Sequence, residues 1–473
     1  MVETAAPLRL HPDRLLPAEP SVRAIARRLY EAVRDLPLIS PHGHVDPRVL
    51  LDDEPFPDPA TLFVTPDHYV TRLLHADGVP LEALGVGRGV LSEQTSREVW
   101  RQLCAHWPIF RGTPVRYWLE HELVEIFGVS LRPSAQTADS IYDQVAERLR
   151  QPAFRPRALY EQFRLSVLAT TDDPSDDLSA HAALAADPSW TGRVIPTFRP
   201  DRYLEPALPG WREAVTRLSE ASGVDTGDYP GYVRALEQRR QFFIAHGAVS
   251  ADHSHPDVRT DPLEPPEAAR LYRVALAGQA TPDEALAFRR HMLLEMARMS
   301  VEDGLVMTLH PAVRRGHHTA TVATFGPDTG SDIPIRVEFT DALRPLLERF
   351  GTSADFHLVV FTVDETVWSR ELAPLAGFYP AVYVGVPWWF LDAPEAIRRF
   401  RAAVTETAGF SRTSGFVDDT RAYCSIPARH DMSRRIDAGL LAQLVAEHQL
   451  EEEEAMDTAV ELVTHQPAKV FKL

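Results

Sequence analysis

The stretch Leu36-Pro37-Leu38-Ile39-Ser40-Pro41-His42-Gly43-His44-Val45-Asp46-Pro47 decides how the rest of the chain is interpreted. It is a short apolar run, typical of a buried strand, that ends in two histidines one residue apart. Side chains on a strand alternate in direction, so His42 and His44 would point the same way and could share one metal ion. A pair of surface loop histidines is the alternative interpretation of so short a pattern.

The chain around this stretch alternates between helical and strand-like segments. An amphipathic helix with Ser21 as N-cap is predicted over 21–35, directly before the first strand. Seven further short apolar runs, separated by helical patterns, lie at 165–171, 193–197, 247–252, 304–310, 356–361, 380–385 and 413–418. Eight strands alternating with helices predict an α/β fold, namely a (β/α)8 TIM-like barrel.

The segment between strands one and two is helical instead. A Pro- and Asp-rich loop is predicted over 45–66, and helices are predicted over 67–77, 92–106, 115–128 and 139–150. We therefore expect three parts: an N-terminal helix with the first barrel strand at 1–44, a large helical insertion subdomain at 45–164, and the remainder of the barrel at 165–473. The insertion would cover one end of the barrel.

Composition excludes several classes of protein. The 473 residues carry a formal net charge of -18, which argues against a general nucleic-acid or anionic-membrane binder. No apolar stretch approaches the roughly 20 residues that cross a bilayer. The two cysteines, Cys104 and Cys424, are too few for a disulfide framework, and residues 1–7 lack a basic region followed by an apolar one. We expect a cytoplasmic protein.

Lysine usage narrows the chemistry further. Lys469 and Lys472, both near the C-terminus, are the only lysines. Schiff-base chemistry with a buried lysine is therefore disfavoured, and the sequence contains no Gly-rich phosphate loop ending in Lys.

Seven of the eight predicted strands carry polar or aromatic residues at their C-terminal ends, where barrel enzymes carry their active sites. In chain order these are His42 and His44, Thr170-Thr171-Asp172-Asp173-Pro174, Thr197-Phe198-Arg199-Pro200-Asp201, Ser250-Ala251-Asp252-His253, His310, Pro387-Trp388-Trp389-Phe390 and Asp418-Asp419-Thr420-Arg421. His357 lies near the start of its strand and so at the opposite end.

A His-x-His on strand one with an Asp ending strand eight resembles the metal-ligand set of amidohydrolase-type barrels. These two strands are neighbours once the barrel closes, so His42, His44 and Asp419 would converge at one mouth. Alternation favours Asp419 over Asp418 as the ligand, because Asp419 and Arg421 should face the same way. Asp418 is expected to support the site, and His310 is a further ligand or a hydrogen-bonding neighbour.

One metal ion is expected. Many amidohydrolases hold two metals bridged by a modified lysine, and here no lysine lies in the barrel. Zinc is the first expectation for a His/His/Asp site, although such ligands also accept manganese or other divalent ions.

Several stretches together resemble the uronate isomerase (glucuronate isomerase) family of the amidohydrolase superfamily, from about residue 36 to 473. They are His42-Gly43-His44, Pro66-Asp67-His68-Tyr69, Tyr117-Trp118-Leu119-Glu120-His121-Glu122-Leu123, Thr170-Thr171-Asp172-Asp173-Pro174, Phe198-Arg199-Pro200-Asp201, Ser250-Ala251-Asp252-His253, Gly326-Pro327-Asp328-Thr329-Gly330, Trp388-Trp389-Phe390 and Asp419-Thr420-Arg421. The resemblance implies interconversion of aldose and ketose uronates, D-glucuronate with D-fructuronate and D-galacturonate with D-tagaturonate, by proton transfer between C1 and C2.

The resemblance also implies residue roles. Asp419 would be a metal ligand and base, Tyr69 a proton donor or shuttle, and Arg421 a substrate contact in the catalytic group. Further substrate contacts would be Arg199, His68, Trp388, Trp389 and Arg315. From pattern alone, Tyr69 and the tryptophans would be core residues, and Arg199 would merely pair with Asp201. A small sugar acid is the expected partner, in a homo-oligomeric enzyme.

The chain departs from the family in two places. After His310 the family usually carries an Arg and an Asn-rich turn, whereas this chain reads Pro311-Ala312-Val313-Arg314-Arg315-Gly316-His317-His318. Asp418 stands where the family usually has Thr. The alternative hypothesis is a mononuclear metal-dependent hydrolase or decarboxylase acting on a carboxylate substrate. A catalytically silent barrel kept for assembly is a third interpretation, against which the intact His42, His44 and Asp419 argue.

Overall fold

Parallel strands with intervening helices form the centre of the molecule in a computed structural model, which describes residues 7–473. The seven barrel strands are Leu38–Ser40, Leu165–Ala169, Val194–Ile195, Ser250–His253, Val306–Leu309, Leu358–Val360 and Val382–Val384. The first three pair in sequence order, and so do the remaining four. All of these pairings are parallel, which confirms the α/β class.

Backbone contacts join the two sheets and close the barrel. Phe198 bridges strand four in parallel, donating its amide to Ser250 O (3.1 Å) and accepting from Asp252 N (2.9 Å). Val384 of strand seven forms a parallel bridge to Thr413. The chain that follows returns to the start, because His44 N donates to Thr420 O at 3.0 Å. These contacts complete the predicted ring of eight segments.

The eighth segment is less regular than predicted. Within the described residues, the stretch 413–418 contains only the isolated bridge at Thr413 and no continuous strand. Gly415 has φ of +74°, a left-handed conformation that interrupts an extended run. Its position also lies against Pro467, where a Cβ would approach the ring to 2.7 Å. This segment therefore closes the barrel without forming a full ladder.

The helices bracket these strands. One helix, Pro20–Val33, precedes strand one. Those between strands one and two are Pro47–Asp52, Pro59–Phe63, His68–Ala76, Glu93–Ala105, Pro114–His121, the π-helical turn Glu122–Ile126, Ala138–Leu149 and Pro156–Gln162. Those after strand two are Ser179–Ala186, Asp201–Leu204, Trp211–Ser222, Tyr229–Ala245, Pro265–Leu276, Pro282–Asp303, Thr319–Phe325, Arg344–Phe350, the π-helical turn Trp368–Leu372, Ala373–Phe378, Pro394–Ala408, Ile426–Ala446, Glu452–Val463 and His465–Val470.

Two local predictions were wrong at helix starts. The first helix is capped by Glu19, whose carboxylate accepts from Val22 N at 2.7 Å, rather than by Ser21, because Pro20 takes its first position. The predicted loop at 45–66 holds two short helices, Pro47–Asp52 and Pro59–Phe63. Both begin with a proline after a capping aspartate, Asp46 or Asp58.

A short antiparallel hairpin that the sequence pattern did not predict follows strand five. Val313–Arg314 pairs with Ile333–Pro334, and the helix Thr319–Phe325 lies between them. Two residues per strand are too few for a recognisable period of alternation. The hairpin carries the loop that departs from the family pattern.

Two large apolar clusters hold the molecule together. One gathers strands four to seven with their helices, and the other joins the helices between strands one and two to those two strands and to part of the helix Ile426–Ala446. The three-part division expected from the sequence, with boundaries at 44 and 164, remains a prediction, and residues 1–6 of its first part lie outside the described residues. No helix within 7–473 combines the length and apolar character needed to cross a membrane.

A buried guanidinium ties the first helix and strand one to the last long helix. Arg434 Nη1 donates to the carbonyls of Val33 (2.8 Å), Arg34 (3.0 Å) and Leu36 (2.9 Å), and Nη2 donates to Pro37 O (2.9 Å). The side chain is about 3 % exposed. One cation thereby satisfies the carbonyls at the end of a helix, which otherwise lack partners.

We expect Arg434→Met to lower the free energy of unfolding by about 3 kcal/mol, because several charge-assisted hydrogen bonds are lost together. Urea unfolding followed by circular dichroism measures this change. The matched control is Arg34→Met, which removes an exposed pair with Asp35 and should change stability by about 0.5 kcal/mol or less. Equal effects of the two substitutions would contradict the role assigned to Arg434.

Candidate active site

The two histidines of the opening stretch lie after strand one, not on it. The strand ends at Ser40, because Pro41 has no amide hydrogen for the ladder. Alternation along a strand is therefore the wrong reason for their proximity. The loop is held instead by His44 N donating to Thr420 O (3.0 Å) and Thr171 Oγ1 donating to Gly43 O (2.8 Å). These contacts leave the two imidazole centroids 5.4 Å apart.

Asp419 faces both histidines across the closing seam of the barrel. Its Oδ1 lies 2.9 Å from His44 Nε2 and 3.5 Å from His42 Nε2. Burial would raise the pKa of Asp419, but the imidazole of His44 against its carboxylate and the nearby imidazoles of His42 and His310 lower that pKa well below its usual value. The backbone here is left-handed, with φ of 43°, which Asp tolerates better than most residues. Asp419 is thus a buried, ionised carboxylate.

His310 completes the cluster from strand five. Its ring stacks on His42, with centroids 4.7 Å apart, and its Nδ1 lies 2.6 Å from Asp252 Oδ1. Its Nε2 is buried and has no hydrogen-bond partner among residues 7–473. Ligand atoms of His42, His310 and Asp419 all lie within 4.8 Å of one another. Such convergence of two imidazoles and a carboxylate is what a divalent cation requires.

Asp252 is one of the residues of the site that the sequence did not predict. Its Oδ1 accepts from Thr308 Oγ1 at 2.7 Å as well as from His310 Nδ1, and Oδ2 lies 3.5 Å from Arg199 Nη1. A carboxylate that accepts from one ring nitrogen fixes the tautomer that leaves the other free to bind a metal. Its position at the end of strand four, in Ser250-Ala251-Asp252-His253, was the available signal.

The neighbouring acid, Asp418, turns away from this cluster. Its Oδ2 lies 3.2 Å from His430 Nε2, and the side chain is buried. Asp418 and Asp419 are adjacent but point in different directions, so that Asp419 faces the histidines and Asp418 faces the helix Ile426–Ala446.

A cleft opens above the cluster, and most of the residues predicted for the site line it. The lining residues are His44, Asp67, His68, Tyr69, Arg315, Asp328, Trp388, Trp389, Asp419, Thr420 and Arg421. Polar groups of both signs therefore meet aromatic rings in one concave surface, as small-molecule sites usually show.

The helix His68–Ala76 contributes His68 and Tyr69 from its first turn. Asp67 caps this helix, accepting from Tyr69 N at 2.8 Å. Burial raises the pKa of Tyr69 above its usual value, against the opposing influence of Arg429, whose guanidinium lies 5.0 Å from the ring centroid. Burial, with help from Arg421, lowers the pKa of His68 to about 3. At neutral pH the cleft thus receives a protonated phenol and a neutral imidazole.

The tryptophans and arginines occupy different depths. Trp388 packs edge-on to His310 (4.8 Å), and Trp389 packs near His68 (5.6 Å) and under Arg315, whose guanidinium carbon lies 5.1 Å from one ring centroid. Arg199 does not line the cleft described above.

Arg199 is paired with two acids below the cleft. Its Nε donates to Asp201 Oδ2 at 2.9 Å, and its Nη1 lies near Asp252. The pairing with Asp201, considered in the sequence analysis as the structural role of this arginine, is therefore present, together with a link to the residue that contacts His310.

Comparisons with known proteins agree on one family. A family model described as glucuronate isomerase matches residues 21–471. The uronate isomerase of Cutibacterium acnes is 56% identical over 466 residues, covering 98% of this chain and 99% of that protein. The uronate isomerase of Corynebacterium efficiens is 54% identical, with 98% of each chain covered.

Solved structures give the same result. A crystal structure of glucuronate isomerase from Caulobacter crescentus has a TM-score of 0.96 at 45% identity, covering 98% of this chain and 97% of that one. A crystal structure of uronate isomerase from Thermotoga maritima has a TM-score of 0.91 at 28% identity, with 98% and 99% covered.

Asp172, at the end of strand two, has a pKa raised from 3.8 to about 7 by burial, although hydrogen bonds from Thr170 Oγ1 and Thr197 N oppose this change. The unfolded chain loses this proton near pH 4 and the folded chain loses it near pH 7. The free energy of unfolding of the wild type therefore decreases as the pH rises from 4 to 7. Asn mimics the protonated form. We therefore expect Asp172→Asn to gain stability relative to wild type as pH rises from 4 to 8, by up to about 4 kcal/mol. Urea unfolding at pH 4 and pH 8 measures this difference, and parallel behaviour of the two proteins would contradict it.

Proposed function

The chain belongs to the glucuronate isomerase family, and from this membership we propose that it interconverts D-glucuronate with D-fructuronate and D-galacturonate with D-tagaturonate. The observation that carries the proposal is identity above 50% over nearly the whole chain with proteins named uronate isomerase. The described cleft supports it, since ionised carboxylate, phenol and guanidinium groups face one space.

A divalent metal fits the cluster below the cleft. His42, His310 and Asp419 present converging ligand atoms, His44 lies against Asp419, and His310 Nε2 is aimed at no partner within the described chain. We propose that these four residues hold one ion, with zinc preferred. When bound, the ion would supply charge that polarises the substrate oxygens at C1 and C2.

The chain's own residues account for the proton transfers. Asp419 remains ionised at working pH, so it can accept the proton from C2 of the aldose and return it to C1. Tyr69 remains protonated, so its phenol can relay the hydroxyl proton from the C2 oxygen to the C1 oxygen. The net change moves one carbon-bound proton from C2 to C1 and one hydroxyl proton from the C2 oxygen to the C1 oxygen, which converts the aldehyde at C1 into a ketone at the adjacent carbon, C2.

The opposite end of the substrate carries a carboxylate, which suits the arginines of the cleft. Arg421 and Arg315 both line it, and guanidinium groups bind carboxylates with directed, charge-assisted hydrogen bonds. Trp388, Trp389 and the neutral His68 would form the walls that orient the sugar. Arg199 does not line this cleft, and its role would be to position Asp252, with which it is paired. A direct contact between Arg199 and the substrate would require the substrate to enter more deeply than this cleft.

The alternative of a hydrolase or decarboxylase is not favoured. The relatives compared above are all named isomerases, and they match nearly the full length of the chain. The arginines suit a carboxylate substrate under either hypothesis, whereas Tyr69 beside Asp419 supplies the second proton carrier that isomerisation needs.

The reaction is tested by incubating the metal-loaded protein with D-glucuronate or D-galacturonate in D2O and following by NMR the formation of ketose and the appearance of deuterium at C1 of the ketose and at C2 of the aldose re-formed from it. We expect ketose with either substrate. Asp419→Asn should lower kcat by about a thousandfold or more, because it removes both an ionised ligand and the proton acceptor, while circular dichroism stays unchanged. Absence of turnover of both substrates by the wild type would contradict the proposed function, and normal activity of Asp419→Asn would contradict its role.

The role proposed for Asp252 in positioning His310 is tested by measuring zinc affinity. Because its carboxylate orients His310, we expect Asp252→Asn to weaken zinc affinity by about 10–100-fold, measured by competition with a chromophoric chelator. The matched control is Asp201→Asn, which alters the other carboxylate on Arg199 without touching His310 and should leave zinc affinity nearly unchanged. Equal losses in both variants would mean that Asp252 acts through Arg199 instead.

A further inference from the structure

A single carboxylate lies between the two arginines of the cleft. Asp328 Oδ2 accepts from Arg421 Nη2 at 3.1 Å, and its Oδ1 accepts from Arg315 Nη1 at 3.4 Å. The three side chains are 36%, 37% and 42% exposed, respectively, so all three remain open to a ligand in the cleft. Arg421 follows the eighth segment of the barrel, and Arg315 lies in the hairpin region after strand five. Asp328 links these two arginines across the mouth of the cleft.

The loop that carries Asp328 is fixed on both sides. Asp328 itself has a left-handed backbone, with φ of 59°. Two residues later, Gly330 packs so closely on the helix His68–Ala76 that a Cβ would lie 2.7 Å from Arg72 Cβ. On the other side, Asp332 Oδ1 accepts from Gly316 N at 2.6 Å. The carboxylate is therefore a built part of the cleft and not a freely moving surface group.

The charge of this arrangement matches one kind of ligand. Two guanidinium groups and one carboxylate leave a net charge of about +1, which balances one carboxylate on a substrate. A terminal group with two negative charges would keep one charge unbalanced and close to Asp328. The other two acids that line this cleft have partners of their own, since Asp419 lies against the imidazoles of His42 and His44 and Asp67 caps the helix His68–Ala76.

We propose that Asp328 is a specificity-determining residue that restricts the cleft to sugars whose terminal group carries a single negative charge, and excludes sugars that end in a dianionic phosphate. The inference rests on the proposed function, since it concerns the end of the substrate that the isomerisation leaves unchanged. Asp328 would act by repulsion, because its charge weakens the binding of a dianionic ligand more than the binding of a monoanionic one.

Removing the charge of Asp328 should strengthen both kinds of ligand, but unequally. A dianion loses twice as much repulsion as a monoanion at the same distance. For charges about 5 Å apart at an effective dielectric constant of about 50, which lies between the values for a protein surface and for bulk water, the second charge corresponds to about a tenfold difference in Kd. The ratio of the two dissociation constants isolates this difference, since any general effect on the cleft changes both constants alike.

The test compares D-glucuronate with D-glucose 6-phosphate, which share the sugar's reacting end and differ in the terminal anion. At pH 8 the phosphate is a dianion, because its second pKa is about 6. Dissociation constants are measured by calorimetry on metal-loaded wild type and Asp328→Asn. We expect the ratio of Kd for glucose 6-phosphate to Kd for glucuronate to fall by about tenfold in Asp328→Asn.

The control is Asp139→Asn, which removes a carboxylate paired with Arg101 outside the cleft and should leave the ratio unchanged. An unchanged ratio in Asp328→Asn would overturn the proposal. A uniform loss of affinity for both ligands would also overturn it, since Asp328 would then only hold the arginines in place. Turnover of uronates by the wild type is recorded in parallel, so that failure of the proposed function is seen separately from failure of this inference.

Discussion

Closure of the barrel is the constraint on which the site depends. The hydrogen bond from His44 N to Thr420 O joins the first and last segments of the ring, and it sets the loop of His42 and His44 beside Asp419. Neither end of the chain could form the cluster alone. The left-handed backbones at Gly415 and Asp419 belong to the same constraint, because the last segment must bend out of an extended course to present its acid inward.

Burial and charge then divide the site into two levels. In the lower level, imidazoles and carboxylates are buried together, and each stabilises the protonation state of its neighbours: Asp419 stays ionised, and Asp252 orders His310. In the upper level, the guanidinium groups of Arg315 and Arg421 remain partly exposed, and both pair with Asp328. The two ends of a sugar acid correspond to these two levels, because one end carries carbonyl and hydroxyl oxygens and the other end carries a carboxylate. The helix His68–Ala76 contributes His68 and Tyr69 to the same cleft.

Elements with strong local signals were predicted well. Helices at 67–77, 92–106 and 139–150 lie within about two residues of the helices His68–Ala76, Glu93–Ala105 and Ala138–Leu149, because amphipathic spacing and side-chain caps are encoded locally. Seven strands were found within their predicted ranges or one residue beyond. The failures have local causes as well: prolines start helices where a loop was expected, Gly415 interrupts strand eight, and the hairpin after strand five is too short to show a period.

By itself, the sequence determined the α/β barrel, the family, and which residue types stand at the strand ends, because strand and helix periods and motif order are written along the chain. Only the tertiary structure decided how those residues meet. His42 and His44 converge through a loop held by Thr420 rather than through strand alternation, Asp252 becomes the partner of His310, and Asp328 comes to lie between Arg315 and Arg421. Such contacts join segments far apart in sequence, and they are set by the packing of the whole barrel, to which no local pattern responds.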